Sequence, residues 1–209
     1  VSVASAYLYD LVLTATEAAG LRQWRRELLA PLAGRVLEVG AGTGHNLALY
    51  PPGVTELDLV EPDRHMRRRL GARMSQLHVP VTVTAAEAET LPYPDGIFDA
   101  VVVTLVLCTV RDPVAVLAEL RRVLRPDGQL AIIEHVGAPP GTRTARTQAL
   151  AEPLWRRIAG NCHLTRDTAT TLDEAGFDVS TLAHSTLPAA PSLLRPAIRG
   201  LLRQQGAPA

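Results

Sequence analysis

The chain of 209 residues predicts an α/β fold: a doubly wound, mostly parallel seven-stranded sheet with a helical lid at the N-terminus. Three observations predict it. Short runs of Val, Ile and Leu alternate with amphipathic stretches along most of the chain. A Gly-x-Gly-x-Gly segment follows the first of those runs, and an acid closes the second.

The elements follow in order. The first thirty residues read as helical, because Leu8, Leu11, Val12, Ala15, Ala18 and Ala19 recur at spacings of three and four, with Gly20 as an interruption. A second helical stretch carries Trp24, Leu28 and Leu29 among Arg22, Arg25 and Arg26, and Pro31 and Gly34 end it. Strands are expected at 35–39, 54–60, 79–84, 100–105 and 129–134, with helices at 46–50, 62–76 and 112–124. Near-continuous apolar strands at this spacing imply a parallel sheet covered on both faces, with right-handed crossovers. Pro126-Asp127-Gly128 is expected as a turn.

After Pro139-Pro140-Gly141 a helix is expected at 142–158, broken near Glu152-Pro153, then a second at 164–175 capped by Thr165. A sixth strand is placed at 177–183, a loop at 188–196 and a closing seventh strand at 198–203, with 205–209 frayed. The whole is expected as one domain, 1–209.

Composition excludes several classes of function. Formal net charge is zero, so no basic footprint marks a nucleic-acid or anionic-membrane partner. All 21 basic residues are Arg, which reads as coding bias. Cys108 and Cys162 are too few for a disulfide framework. With no Cys-x-x-Cys they read as buried apolar residues and not as a metal set, so no metal is expected. No apolar run approaches the ~18 residues of a membrane span, and no basic-flanked leader is evident. A reducing cytoplasm is the expected compartment.

The segment Val36-Leu37-Glu38-Val39-Gly40-Ala41-Gly42-Thr43-Gly44-His45-Asn46 carries the strongest signal. Glycines at the carboxyl end of a first strand let the backbone turn and approach a ligand. A dinucleotide fingerprint needs its third glycine at 45, where His45 stands, so the spacing argues against NAD and for a ligand without a pyrophosphate. Glu61 ends the second strand, where a carboxylate accepts hydrogen bonds from both hydroxyls of a ribose. Loop and acid together predict a nucleoside site.

These residues resemble the class I S-adenosylmethionine (SAM)-dependent methyltransferases of the type 11 subgroup, over about residues 5–203. Glu38, Gly40, Ala41, Gly42, Gly44 and Asn46 look like the motif that wraps the methionine part of SAM. Glu61-Pro62-Asp63-Arg64-His65-Met66 looks like the segment whose acid holds the ribose and whose Met packs near adenine. Ala86-Glu87-Ala88 stands where the family has Asp-Ala-Glu beside the adenine amino group. Thr104 and Leu105 end the strand that touches the methionine. Leu117-x-Glu119-Leu120-x-Arg122-Val123-Leu124-Arg125-Pro126-Asp127-Gly128 is similar to a further signature, with Asp127 in place of the usual Gly. The resemblance implies a SAM-binding core at 34–136, an N-terminal lid at 1–33, and an acceptor-side lid with closing strands at 137–209. S-adenosylhomocysteine is the implied product.

A narrower likeness, to the methyltransferase-like 7 group that methylates small alkyl thiols, rests on Thr104-Leu105-Val106-Leu107-Cys108, Glu134-His135-Val136, Glu152-Pro153-x-Trp155, Cys162-His163-Leu164-Thr165-Arg166 and Pro196-x-Ile198-x-Gly200. It implies S-methylation of a small-molecule acceptor; a monomer or homodimer is expected. The alternatives are O-, N- or C-methylation of a natural-product, quinone or lipid acceptor, and a non-catalytic SAM-binding module. The animal members' apolar N-terminal anchor has no counterpart in this sequence.

Methyl transfer is an in-line displacement that depends on alignment and desolvation. A thiol needs little help to ionise, whereas a hydroxyl leans on a general base. His135, after the fifth strand, and His163, in the lid, are the candidate catalytic residues, as bases or as groups that orient the acceptor. Trp155, Tyr7 and Tyr9 are candidates for the acceptor pocket, Trp155 equally for core. His45 and His65 read as surface or packing residues, the Arg67-Arg68-Arg69 run as a solvated helix face, and His78 and His184 carry no distinguishing context.

Overall fold

A computed structural model describes residues 14–206, apart from 75, 76 and 78. Tyr7, Tyr9, Leu8, Leu11, Val12 and His78 therefore lie outside the described residues. Seven strands form one sheet in the order β3-β2-β1-β4-β5-β7-β6. They are β1 (Gly34–Val39), β2 (Val54–Val60), β3 (Val81–Thr84), β4 (Phe98–Thr104), β5 (Leu124–His135), β6 (Ala183–Thr186) and β7 (Pro196–Arg203). The first five pair in parallel, and β7 runs antiparallel to both β5 and β6. Among the described residues they are accompanied by the α-helices α1 (Arg22–Leu29), α2 (Arg64–Met74), α3 (Pro113–Val123), α4 (Arg143–Ile158) and α5 (Thr168–Glu174).

The strands alternate their side chains between two cores, as period-two geometry requires. Leu37, Val39, Val101, Val103, Leu130 and Ile132 pack on one face with Val116, Leu117 and Leu120 of α3 and Leu172 of α5. Val36, Leu57, Leu59, Ala100, Val102 and Ala131 pack on the other, with Leu29 of α1 and Leu70 of α2. Burial on both faces explains why the strands read as unbroken apolar runs. Strand order reverses between β1 and β4, so the crevice at their carboxyl ends is the topological switch point where such folds bind ligands.

Several boundaries differ from the sequence expectation. The sixth strand is Ala183–Thr186, not 177–183. Residues 178–182 turn instead: Asp178 caps the Ser180 amide at 2.9 Å and the Leu182 amide bonds Val179 O at 3.0 Å. Phe177 and Val179 are apolar because they plug the core edge, which mimics a strand pattern. The second lid helix starts at Thr168 with Asp167 as its N-cap, not at 164 with Thr165. Leu164 is buried and Arg166 donates to Leu107 O and Val110 O, which keeps that segment extended. Helix α4 runs unbroken through the exposed Pro153. Pro126-Asp127-Gly128 lies inside β5, where the register with β4 shifts, rather than in a separate turn. Residues 46–50 reduce to a 3-10 turn, Leu47–Leu49. Gly20 does interrupt the first helix, at φ +138° within a π-helical turn, Glu17–Leu21.

Candidate active site

The loop after β1 is built from three left-handed glycines: Gly40, Gly42 and Gly44, at φ +69°, +55° and +86°. Their side-chain positions differ. A Cβ on Gly40 would lie 2.4 Å from Val106 Cγ2, and one on Gly44 would lie 2.9 Å from both Leu47 Cδ1 and Leu70 Cδ1. A Cβ on Gly42 would meet nothing nearer than Gly40 O at 3.9 Å. Two glycines thus serve close packing, and Gly42 alone faces open space at the switch point. The amides of Gly40 and Ala41 bond Val60 O at 2.8 and 3.0 Å, which fixes the loop against the end of β2.

Glu61 follows β2 directly and turns toward that loop. Its Oε2 accepts the Gly42 amide at 2.8 Å, and its Oε1 accepts the Asp63 amide at 2.9 Å. Burial holds its carboxyl above the usual range, against the pull of those two amides. Met66 is buried on α2, whose first turn is capped by Asp63. The Glu61 amide bonds Thr84 O at 3.1 Å, so the segment after β3 with Ala86, Glu87 and Ala88 runs beside it. Ala88 is buried, whereas Glu87 and Pro62 stand exposed at the rim.

The inner wall of the crevice is a buried polar network. Glu38 Oε1 accepts Asn46 Nδ2 at 2.9 Å and Glu38 Oε2 accepts the Tyr50 hydroxyl at 2.7 Å. Burial pushes the Glu38 carboxyl up, and these two donors oppose it. Asn46 Nδ2 also reaches Thr104 Oγ1 at 3.2 Å. Arg25, only 3 % exposed, donates to Asn46 Oδ1 at 3.0 Å, Thr104 Oγ1 at 2.8 Å and Glu17 Oε1 at 2.9 Å. One guanidinium thus binds the N-terminal helical segment to the glycine loop and to the end of β4. Arg25 and Tyr50 were missed from sequence. An arginine among two others on an amphipathic helix gives no sign that it points inward.

Leu105, just past β4, adopts φ +61°, a left-handed conformation costly for a non-glycine residue. It is held there by its amide bond to Ile133 O at 2.8 Å and by the buried Glu134. Glu134 accepts the amides of Val106, Leu107 and Cys108 at 2.7, 2.8 and 3.3 Å. Burial pushes its carboxyl up to about 7 despite these donors. Glu134 was quoted only as part of a motif; its role as the cap of this turn was not foreseen.

The two candidate histidines differ. His163 lies in the α4–α5 loop, with Nδ1 2.9 Å from Glu152 Oε1. Burial and the nearby Arg166 and Arg156 push the imidazole down, against the Glu152 carboxylate. His135, at the end of β5, is 2 % exposed and neither ring nitrogen has a hydrogen-bond partner. It lies with Cys108 and Cys162: the three donor atoms are all within 4.8 Å of one another. The sequence reading kept these cysteines apart; the fold brings them together with a histidine. The Cys108 thiol faces the Cys162 sulfur, which holds Cys108 up and draws Cys162 down.

Comparison with known proteins bears on this arrangement. A family model described as a methyltransferase domain matches residues 37–132. The human thiol S-methyltransferase TMT1B is 37 % identical over 177 residues, covering 79 % of this chain and 72 % of the relative. Human TMT1A, a thiol S-methyltransferase, is 36 % identical over 168 residues, covering 79 % and 68 %. The crystal structure of the cyclase SpnF superposes with a TM-score of 0.69 at 19 % identity, covering 90 % of this chain and 82 % of that one, which bears on the fold alone.

Proposed function

The chain belongs to the SAM-dependent methyltransferase family of TMT1A and TMT1B, and from that premise we propose that it transfers a methyl group to the sulfur of a small thiol. One observation carries the cofactor half of this reading: a buried carboxylate, Glu61, hydrogen-bonded to the one loop glycine whose side-chain position is open. That pairing suits a ribose beside a closely approached backbone.

SAM supplies an activated sulfonium methyl, and the rest falls to the protein. In this reading the backbone of Gly40, Ala41, Gly42 and Gly44 lines the methionine moiety, and Glu61 and Pro62 border the ribose. Met66, Ala86, Glu87 and Ala88 flank the adenine, and Thr104 and Leu105 wall the methyl side. Glu38 acts through Asn46, whose side chain it fixes. In this reading residues 14–33 and 137–206 close over the crevice and exclude water, which strengthens every electrostatic contact within it.

The acceptor reading draws on the relatives' thiol activity and on the chemistry beside β5. In this reading His163, oriented by Glu152, takes the proton that a thiol loses. His135 is too enclosed to meet an acceptor alone, and acts with the two sulfurs around it.

The test is incubation with SAM and a panel of small alkyl thiols, amines, phenols and quinols, with products identified by mass spectrometry. Methyl thioethers are expected. Methylated amines, phenols or quinols without thioethers would overturn the acceptor reading. Calorimetry that detects no SAM binding below millimolar would overturn the cofactor reading too.

A further inference from the structure

Cys108, His135 and Cys162 come from three separate segments: the turn after β4, the last residue of β5 and the α4–α5 loop. Their meeting is enforced by the backbone. The His163 amide donates to Cys108 O at 2.7 Å, Asn161 Nδ2 to Thr109 O at 2.8 Å, and the Gly137 amide to Arg166 O at 2.8 Å. These bonds press the lid loop onto the ends of the two strands.

What they create is chemically incomplete. A buried imidazole with neither nitrogen bonded has lost its water without a replacement partner. Neighbouring polar groups are engaged elsewhere: Glu134 on three amides, Glu152 on His163 and the Leu164 amide, Arg166 on two carbonyls. The buried indole N–H of Trp155 points toward Cys162 and meets no oxygen or nitrogen acceptor. Two sulfurs and an imidazole nitrogen are the donor set that borderline-soft zinc prefers. Tetrahedral coordination at the usual bond lengths spaces such donors about 3.5–3.8 Å apart, inside the 4.8 Å that bounds the three donor atoms.

We propose that Cys108, His135 and Cys162 form a zinc site whose fourth position binds the acceptor thiol as a thiolate. No fourth Cys, His, Asp or Glu joins the three among the described residues, and three protein ligands with one open position is the catalytic pattern of zinc sites, not the closed structural one. Cys108 and His135 are buried while Cys162 is partly exposed, so the open position faces the solvent side of the loop. A thiol that coordinates zinc is deprotonated outright. Its S–H bond breaks, a Zn–S bond forms and the proton passes to His163, the base of the acceptor reading; nothing is oxidised or reduced. The thiol at the fourth position rests on the acceptor reading above; the metal does not.

The test uses metal-free, reduced full-length protein titrated with Zn2+ against a chromophoric chelator, and with Co2+ by absorption. Wild type is expected to bind one equivalent and to show sulfur-to-cobalt charge transfer. Cys162→Ser, Cys108→Ser and His135→Ala should each weaken Zn2+ binding by more than the roughly 10–100-fold that loss of an outer partner costs. Cys162 is partly exposed, so its variant should keep the fold and SAM affinity, which calorimetry checks. Adding a small thiol should shift the cobalt d–d bands. Zinc affinity no greater in wild type than in the Cys108→Ser/Cys162→Ser double variant, or a Cys108–Cys162 disulfide that persists in reductant, would overturn the site. Unchanged cobalt bands on adding thiol would overturn the acceptor position. Zinc binding with no thioether product would leave the metal site standing and sink the thiol activity instead.

Discussion

Alanine placed at Gly42 and at Gly40 separates ligand space from packing space. Both residues hold left-handed backbone, so either substitution costs about 1–2 kcal/mol of folding energy. At Gly42 little is added, since the new methyl meets only Gly40 O at 3.9 Å. For a chain of this size that is a fall in Tm of about 2–8 °C. At Gly40 the methyl would sit 2.4 Å from Val106 Cγ2 and 3.1 Å from Cγ1. Overpacking of that kind adds about 1–3 kcal/mol, so Gly40→Ala should lose about 2–5 kcal/mol in all. Binding should rank the other way in effect per unit of stability lost. The Gly42→Ala methyl projects into the crevice, and SAM affinity should fall at least about tenfold, or ~1.4 kcal/mol. Thermal melts and calorimetry with SAM on the same preparations read both quantities. A Gly42→Ala protein that melts as expected yet binds SAM like wild type would refute the claim that the cofactor lies over this glycine.

Three further outcomes are expected. Arg25→Ala strands Glu17, Asn46 Oδ1 and Thr104 Oγ1 and should cost about 2–4 kcal/mol in urea unfolding, with Arg25→Lys recovering only part; a loss under about 0.5 kcal/mol would show the network to be idle. Glu61 has a raised carboxyl in the fold, so its contribution to ligand-free stability is fully present below the unfolded value near 4.5 and is lost as pH rises through the folded one; SAM binding, which needs the carboxylate, should weaken in the opposite sense on acidification. Glu61→Gln should flatten both profiles, and calorimetry and melts across pH 5–8 would expose a slope that persists. His163→Ala should lower kcat for thiols about 10–100-fold, at the low end of base catalysis because thiols ionise readily, while SAM Kd stays put; an unchanged kcat would remove His163 from the reaction.

The strands of the core were legible because a sheet buried on both faces leaves little freedom in composition: β2 was read to the residue. The glycine loop and Glu61 were legible because their chemistry is local. Boundaries failed where side chains serve distant partners. Arg166 belongs to a carbonyl clamp on the turn after β4 rather than to a helix, and Phe177 belongs to a core edge rather than to a strand.

By itself, then, the sequence determined the sheet, the order of the motifs and the pairing of the glycine loop with Glu61, over which we propose that the nucleoside lies. All of that follows from spacing along the chain, since periodicity and turn geometry act over a few residues. Only the tertiary structure decided that Arg25 points inward to Asn46 and Thr104, and that Cys108, His135 and Cys162 converge. Those residues are 21, 79, 27 and 54 positions apart, and no local rule connects them. What joins them is strand order: β4 and β5 lie side by side, and the lid loop is tied by hydrogen bonds across the carboxyl ends of both.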